Sequence, residues 1–236
     1  MQKILGYIRR ACQEFDLIQD GDRIAVGVSG GKDSMVLLAG LALMRRFYEK
    51  KYDVVAITLD PRFGGKETDY TPVAKLCEKL GVEYHLIRTD IGEIVFDIRK
   101  EPNPCSLCAK MRRGALHDAA KAAGCNKLAL GHNNDDAIET FIMNLFQEGR
   151  IGCFAPITYL SRKDITLIRP LVLAPEYAVM SCARRNNFEI VKSKCPADKK
   201  TTRQTTKEFL ADLEHKNKGI KQRIFGAMRK AGIDRW

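Results

Sequence analysis

Short apolar runs, rich in β-branched residues and bounded by turn residues, recur along the chain. Arg23 to Val28, Asp53 to Leu59, Glu83 to Arg88, Lys127 to Leu130 and Ile165 to Ile168 each predict a strand. Longer stretches with helical periodicity separate them. Helices are expected from the residues after Ser34 to about Lys50, from Tyr70 to Leu80 with Gly81 closing it, from Cys105 to Ala123, from Asp136 to Gln147 and from Pro175 to Asn186. Residues 1–19 place Ile4, Leu5, Ile8, Cys12, Phe15 and Ile18 on or near one face, which predicts an amphipathic helix that packs on the body. Residues 91–104, bounded by Pro102 and Pro104, read as irregular, and Glu148 to Asp164 as a loop or hairpin. Phe188 to Val191 reads as a short strand, and one last basic helix runs from about Gln204 to Lys230. Strand alternating with helix predicts an α/β fold built on a parallel, doubly wound sheet. The expected organisation is an N-terminal helix (1–22), an α/β domain (23–192) and a basic, cysteine-containing helical segment (193–236).

At 236 residues the chain suits one α/β domain with an appendage. It holds no run of about 18 apolar residues, so no membrane span is expected. The stretch Met1-Gln2-Lys3-Ile4-Leu5-Gly6 lacks the features of a signal peptide, and the cytoplasm is the expected location. A net charge of +11 favours a polyanionic partner, nucleic acid first. Eight cysteines without an export signal point away from a disulfide framework and toward metal or sulfur chemistry at some of them.

Candidate chemistry begins at Ala25-Val26-Gly27-Val28-Ser29-Gly30-Gly31-Lys32-Asp33-Ser34. A strand, a glycine turn and a helix start make an anion site. Glycines let backbone N–H groups crowd a phosphate, the helix N-terminus adds unpaired donors, and Lys32 adds a full charge. A Walker A loop does not fit, because Val26 stands where its first glycine belongs and Asp33 where its hydroxyl belongs. A Rossmann G-x-G-x-x-G fails too, with glycines at 27, 30 and 31. Ligands of parallel sheets gather beyond the carboxyl ends of strands. That rule adds Asp60 and the loop to Thr68, His132 to Asp136, and Arg169. Cys105-Ser106-Leu107-Cys108 puts two thiols on one side of a helix's first turn. The neighbouring Lys110, Arg112 and Arg113 are expected to favour thiolates there. Cys195 is a third candidate. Cys12, Cys77, Cys125, Cys153 and Cys182 show no partner spacing and are expected to be inert thiols.

The S-G-G-x-D-S of Ser29 to Ser34 resembles the pyrophosphate loop of the PP-loop ATPases, whose sheet is of the adenine nucleotide alpha hydrolase-like, Rossmann-like kind. Cys105 to Cys108 with Arg112-Arg113-Gly114-Ala115-Leu116, then Leu130-Gly131-His132 with Asp135-Asp136, Arg169-Pro170-Leu171 and Cys195-Pro196, is similar to one subgroup, the TtcA-like tRNA 2-thiocytidine synthetases. Asp198 departs from a second late cysteine often found there. The resemblance implies ATP bound through Ser29, Gly30, Gly31, Lys32, Asp33 and Ser34, assisted by Asp60, His132, Asp136 and Arg169. It implies magnesium on Asp33 and Asp136, with Asp135 a weaker candidate, and a [4Fe–4S] cluster on Cys105, Cys108 and Cys195. Zinc completed by His117, or a cysteine persulfide pair, are the alternatives. The implied reaction is adenylation of a pyrimidine C2 carbonyl in tRNA, cytidine 32 first, and replacement of its oxygen by sulfur. Cys105, Cys108, Cys195 and Asp33 would carry the chemistry. A sulfur donor such as a cysteine desulfurase and a homodimer are further implications. Thiolation of uridine 34 or of a small molecule, and a non-catalytic RNA partner, are the other readings. The late basic residues, among them Lys199, Lys200, Arg203, Lys207, Lys216, Lys218, Lys221, Arg223, Arg229, Lys230 and Arg235, are the first place to look for RNA phosphate contacts.

Overall fold

The computed structural model describes residues 1–100, 104–192, 194–197 and 202–236. Pro102, Asp198, Lys199 and Lys200, which entered the reading of the sequence, lie outside the described residues. Six strands form one sheet: β1 (Asp22–Gly27), β2 (Tyr52–Asp60), β3 (Glu83–Arg88), β4 (Lys127–Ala129), β5 (Ile157–Leu160) and β6 (Ile165–Ile168), in the order β3-β2-β1-β4-β6-β5. All neighbours pair parallel except β5 with β6, which form an antiparallel hairpin at the edge. The chain winds outward from β1 to β3, then returns to place β4 on β1's other side. The carboxyl ends of β1 and β4 therefore flank the switch point, where a parallel sheet opens a crevice.

The helices are α1 (Gln2–Glu14), α2 (Lys32–Met44), α3 (Thr71–Leu80), α4 (Ile91–Glu93), α5 (Pro104–Ala122), α6 (Asn134–Gln147), α7 (Glu176–Arg185), α8 (Thr202–Lys216) and α9 (Ile220–Lys230). Alternation along β1 assigns the two faces. Ile24 and Val26 join the main core with α1, α2, α3, α6 and α7, and with Leu210, Phe225 and Met228 of the last two helices. Ala25 faces the other way, onto Ala120 of α5 with Val55, Ile57, Leu128 and Leu167. Helix α2 is apolar nearly all round and is buried from Ser34 through Ala42, as a helix enclosed on every side must be. Ile4 and Ile8 of α1 are buried in that core, as expected of a packing helix. No helix is long and apolar enough to cross a membrane, among the described residues.

Several elements depart from expectation. Helix α2 stops at Met44 rather than near Lys50, and α1 stops at Glu14, leaving Leu17 and Ile18 buried beyond it. Residues 91–99 are helical, α4 running into a wide π-type turn over Ile94–Arg99. Its apolar residues Ile91 and Val95 pack with Cys108, and tertiary burial decides a segment that local signals leave open. Phe188 to Val191 forms no strand. The single last helix is two, broken between Lys216 and Ile220.

Candidate active site

The loop after β1 turns through Gly30, whose φ of +78° suits glycine. A side chain there would meet Val191 as well: an added Cβ would stand 2.6 Å from the Val191 Cβ. The Val191 N–H donates to the Gly30 carbonyl at 3.0 Å, so the chain after α7 lies against the loop. Two hydroxyls hold the loop's shape. Ser34 Oγ accepts from the Ser29 N–H at 3.2 Å and donates to the Gly31 carbonyl at 2.9 Å. The loop opens α2 at its positive end, with Lys32 and Asp33 in the first turn. The loop after β4 closes on it: a Cβ on Gly131 would stand 3.1 Å from the Ser34 nitrogen.

Asn133 links the two loops. It caps α6 reciprocally with Asp136, and its Nδ2 donates to Asp33 Oδ1 at 3.0 Å. Asp33 and Asp136, the expected magnesium pair, are thus held around one amide. Burial raises the Asp136 carboxyl, and Asp33 pushes the same way. Asp135 is used otherwise. It accepts from the Glu176 N–H at 2.7 Å and from Lys221 at 3.0 Å, pinning α7 and α9 to the start of α6.

Arg169, at the end of β6, is buried and lines the same cleft. Its Nε donates to His132 Nδ1 at 3.3 Å and its guanidinium lies 4.8 Å over the Phe154 ring. It makes no ion pair among the described residues. Burial lowers its pKa to about 10. Burial, then Arg169 and Arg203, push His132 down to about 3, so the ring is neutral and, with Nδ1 accepting, carries its proton on Nε2. Trp236 donates to the Phe154 carbonyl at 2.9 Å and steadies that ring.

The cleft holds about 610 Å³. It is lined by Ser29, Asp33 and Ser34 of the phosphate loop, by His132 and Arg169, and by Ala109, Arg112 and Arg113 of α5. Cys108 therefore sits one residue from the cleft wall, buried with Ile91 and Val95. Its thiol is raised by burial first, then by Cys195 and Cys105, against Arg112. The expectation that neighbouring cations favour thiolate is reversed at Cys108, because burial outweighs Arg112. Cys195 and Cys105 both lie close enough to Cys108 to act on its thiol. Among the described residues no three His, Cys, Asp or Glu side chains converge closely enough for a single metal ion. His117 cannot complete a zinc site with Cys108, because nine residues along α5 is about 14 Å of rise. It lines the cleft instead, with its Nε2 buried and without a partner among the described residues. The five other thiols lie apart, and burial pushes Cys12, Cys77 and Cys153 up to about 12.

Asp60 does not line the cleft. Its carboxylate accepts from the Arg62 and Thr68 N–H groups at 3.1 and 3.0 Å, tying the loop after β2. That loop serves the cysteine end: Phe63 packs edge-on with Phe96 in the Cys108 cluster, and Lys194 donates to the Glu67 carbonyl at 2.8 Å.

Sequence reasoning missed the acids that meet the late basic residues. Glu176 bridges Lys32 and Lys207. Arg203 reaches Asp136 at 3.2 Å and the buried Glu139 at 3.6 Å. Burial, then Asp136, raise the Glu139 carboxyl to about 7. Arg203 thus lines the cleft, and Lys207 and Lys221 pair with acids of α7 and α6, while Lys216, Lys218, Arg223 and Lys230 stay exposed. An acid three residues after Asp136 on the same helix face is the one local signal that could have exposed Glu139.

Comparison with known proteins adds three findings. A family model described as a PP-loop domain matches residues 6–213. The tRNA-cytidine(32) 2-sulfurtransferase of Geobacter sulfurreducens is 40% identical over 232 residues, 96% of this chain and 89% of the relative, and that of Geotalea daltonii is 40% identical over 232 residues, 96% and 90%. Among solved structures, the U34-tRNA thiolase NcsA from Methanococcus maripaludis, with its [4Fe-4S] cluster, superposes with a TM-score of 0.77 at 26% identity, over 97% of this chain and 78% of that one.

Proposed function

The chain belongs to the PP-loop family, and from that premise we propose that it is an ATP-dependent sulfurtransferase that converts cytidine 32 of tRNA to 2-thiocytidine. The observation that carries this reading is the shared cleft, lined by the phosphate loop and by the helix bearing Cys105 and Cys108. Identity of 40% to cytidine-32 enzymes, against 26% to the uridine-34 thiolase, favours cytidine over uridine 34.

ATP places its β,γ-pyrophosphate on the N–H groups of the Ser29–Ser34 loop, at the positive end of α2, with Lys32 beside it. Asp33 and Asp136 would hold magnesium, which supplies charge neutralisation of the phosphates. The pyrimidine O2 forms a bond to the α-phosphorus as the bond to pyrophosphate breaks. The loop and Lys32 stabilise that leaving charge. Arg169 and the neutral His132 line the same cleft, and the Arg169 N–H groups and the His132 Nε2–H are donors that an α-phosphate can accept from. A sulfur nucleophile at the sulfide level then bonds to C2, and AMP leaves with the original oxygen. No redox step is needed.

Cys105, Cys108 and Cys195 would hold a [4Fe–4S] cluster. Three thiolates leave one iron open to an exogenous ligand, and that is the chemistry such a cluster supplies. Cys105 and Cys195 both act on the Cys108 thiol, and three thiols without a fourth histidine or cysteine beside them among the described residues suit a cluster with one open iron. A cysteine desulfurase as sulfur source, a homodimer and action in the cytoplasm complete the reading. The exposed Lys216, Lys218, Arg223 and Lys230 are available to RNA phosphates.

The test is single-turnover thiolation with anaerobically prepared protein, ATP, sulfide and unmodified tRNA. The reading expects 2-thiocytidine to form in step with AMP and pyrophosphate, and Cys108→Ser to abolish it. Thiolated uridine in place of cytidine, or undiminished turnover by Cys108→Ser, would sink it.

A further inference from the structure

The C-terminal limb reaches the phosphate loop through one carboxylate. Glu176, in the first turn of α7, accepts from Lys207 Nζ with both oxygens at 2.7 Å, and its Oε1 also lies 3.0 Å from Lys32 Nζ. Two ammonium groups sharing one oxygen are no farther apart than those contacts laid end to end. Lys32 belongs to the phosphate loop, so Lys207, contributed from helix α8, stands beside the same anion site. A carboxylate wedged between two lysines offers what a phosphate oxygen offers: negative charge and acceptors only.

We propose that Lys207 is a second cation for the pyrophosphate of ATP, and that Glu176 is the placeholder that keeps Lys32 and Lys207 together until the nucleotide arrives. The inference rests on the reading that pyrophosphate occupies Ser29 to Ser34. A further observation favours it. Arg203, one turn before Lys207 on α8, also turns inward and lines the cleft, so this face of α8 belongs to the site. Since α8 follows Cys195 closely in the chain, phosphate contact at Lys207 ties nucleotide binding to the limb that bears the third cysteine.

The experiment is calorimetric titration of the full chain with magnesium pyrophosphate and, separately, with AMP. Lys207→Gln should weaken pyrophosphate about tenfold and leave AMP within about twofold. Lys207→Arg should recover most of the loss. Glu176→Gln, by removing a competitor, should tighten pyrophosphate by about threefold or more. If the bridge were only a structural clamp, Glu176→Gln and Lys207→Gln would both weaken binding, and the proposal would be overturned. Normal pyrophosphate binding by Lys207→Gln, while Lys32→Gln loses it, overturns the role of Lys207 and keeps the loop reading. A wild-type chain that binds no pyrophosphate, or Lys32→Gln that binds it normally, overturns the loop reading itself. Should Lys207→Gln fail to fold, Lys207→Arg and the sign of the Glu176→Gln effect decide.

Discussion

Strands β1 and β4 lie side by side, and their two ends carry opposite kinds of charge network. At the amino end, Asp22 and Lys127 pair at 2.7 Å, both buried. Each charged group has further partners: Asn126 and the Gln19 N–H donate to Asp22, and Lys127 donates to the Leu17 carbonyl. At the carboxyl end, Glu176 is shared by two lysines, and among the described residues Arg169 has no acid partner and the buried His117 Nε2 and Asn134 Oδ1 have no hydrogen-bond partner. The closed network is architecture. The open one holds charge in reserve for a polyanion and its cation. A buried ion pair is therefore no sign of function by itself.

Substitutions can break this contrast from either end. The largest effect belongs to the closed network. Lys127→Met strands a buried carboxylate and should lose about 3–5 kcal/mol of stability in urea unfolding, with Asp22→Leu restoring part of it in the double variant. Adenylation per folded molecule should not change. Lys32→Gln should do the reverse: the adenylation rate falls about 10²–10³-fold, and stability moves by less than about 1 kcal/mol, because its ion pairs are partly exposed. Arg169→Gln should slow adenylation about tenfold or more and remove an unpaired buried charge, so unfolding should show little loss. A large stability loss there would move Arg169 to the architectural class.

The smallest effect is one of pH. Glu139 is raised from an ordinary carboxyl to about 7 by burial and Asp136. A carboxyl raised on folding binds its proton more tightly in the native state, so ionisation opposes folding. That penalty is absent below the unfolded value of 4.5 and complete above about 7. Glu139→Gln should therefore gain about 1–3 kcal/mol over wild type as pH rises through that window, and nothing at its acid end. A difference that does not vary with pH would remove Glu139 from the open network.

The phosphate loop was legible in the sequence because its chemistry is local. Ser29 to Ser34 carry glycines, hydroxyls and charges at fixed spacing between a strand and a helix, and the structure builds what that spacing demands. The Cys105–Cys108 turn was legible for the same reason. What escaped were pairings across the chain. Lys207 finds Glu176 and Arg203 finds Glu139, and each partner alone looks like one more charge on a solvated helix face. Tertiary burial likewise turned residues 91–99 helical around Cys108. It also raised the Cys108 thiol, which the adjacent arginines had been expected to lower. The loop after β2 stood correctly beyond a strand end, but Asp60 spends its carboxylate on its own backbone, a choice that residue type and position do not record.

The central claim is that this cleft thiolates cytidine 32. It is tested most directly by nucleoside mass spectrometry of total tRNA from cells lacking the gene, complemented with wild type or with Cys108→Ser. The account predicts that 2-thiocytidine disappears, returns with wild type and stays absent with Cys108→Ser. An unchanged 2-thiocytidine level in the deletion, or loss confined to a 2-thiouridine, would contradict it.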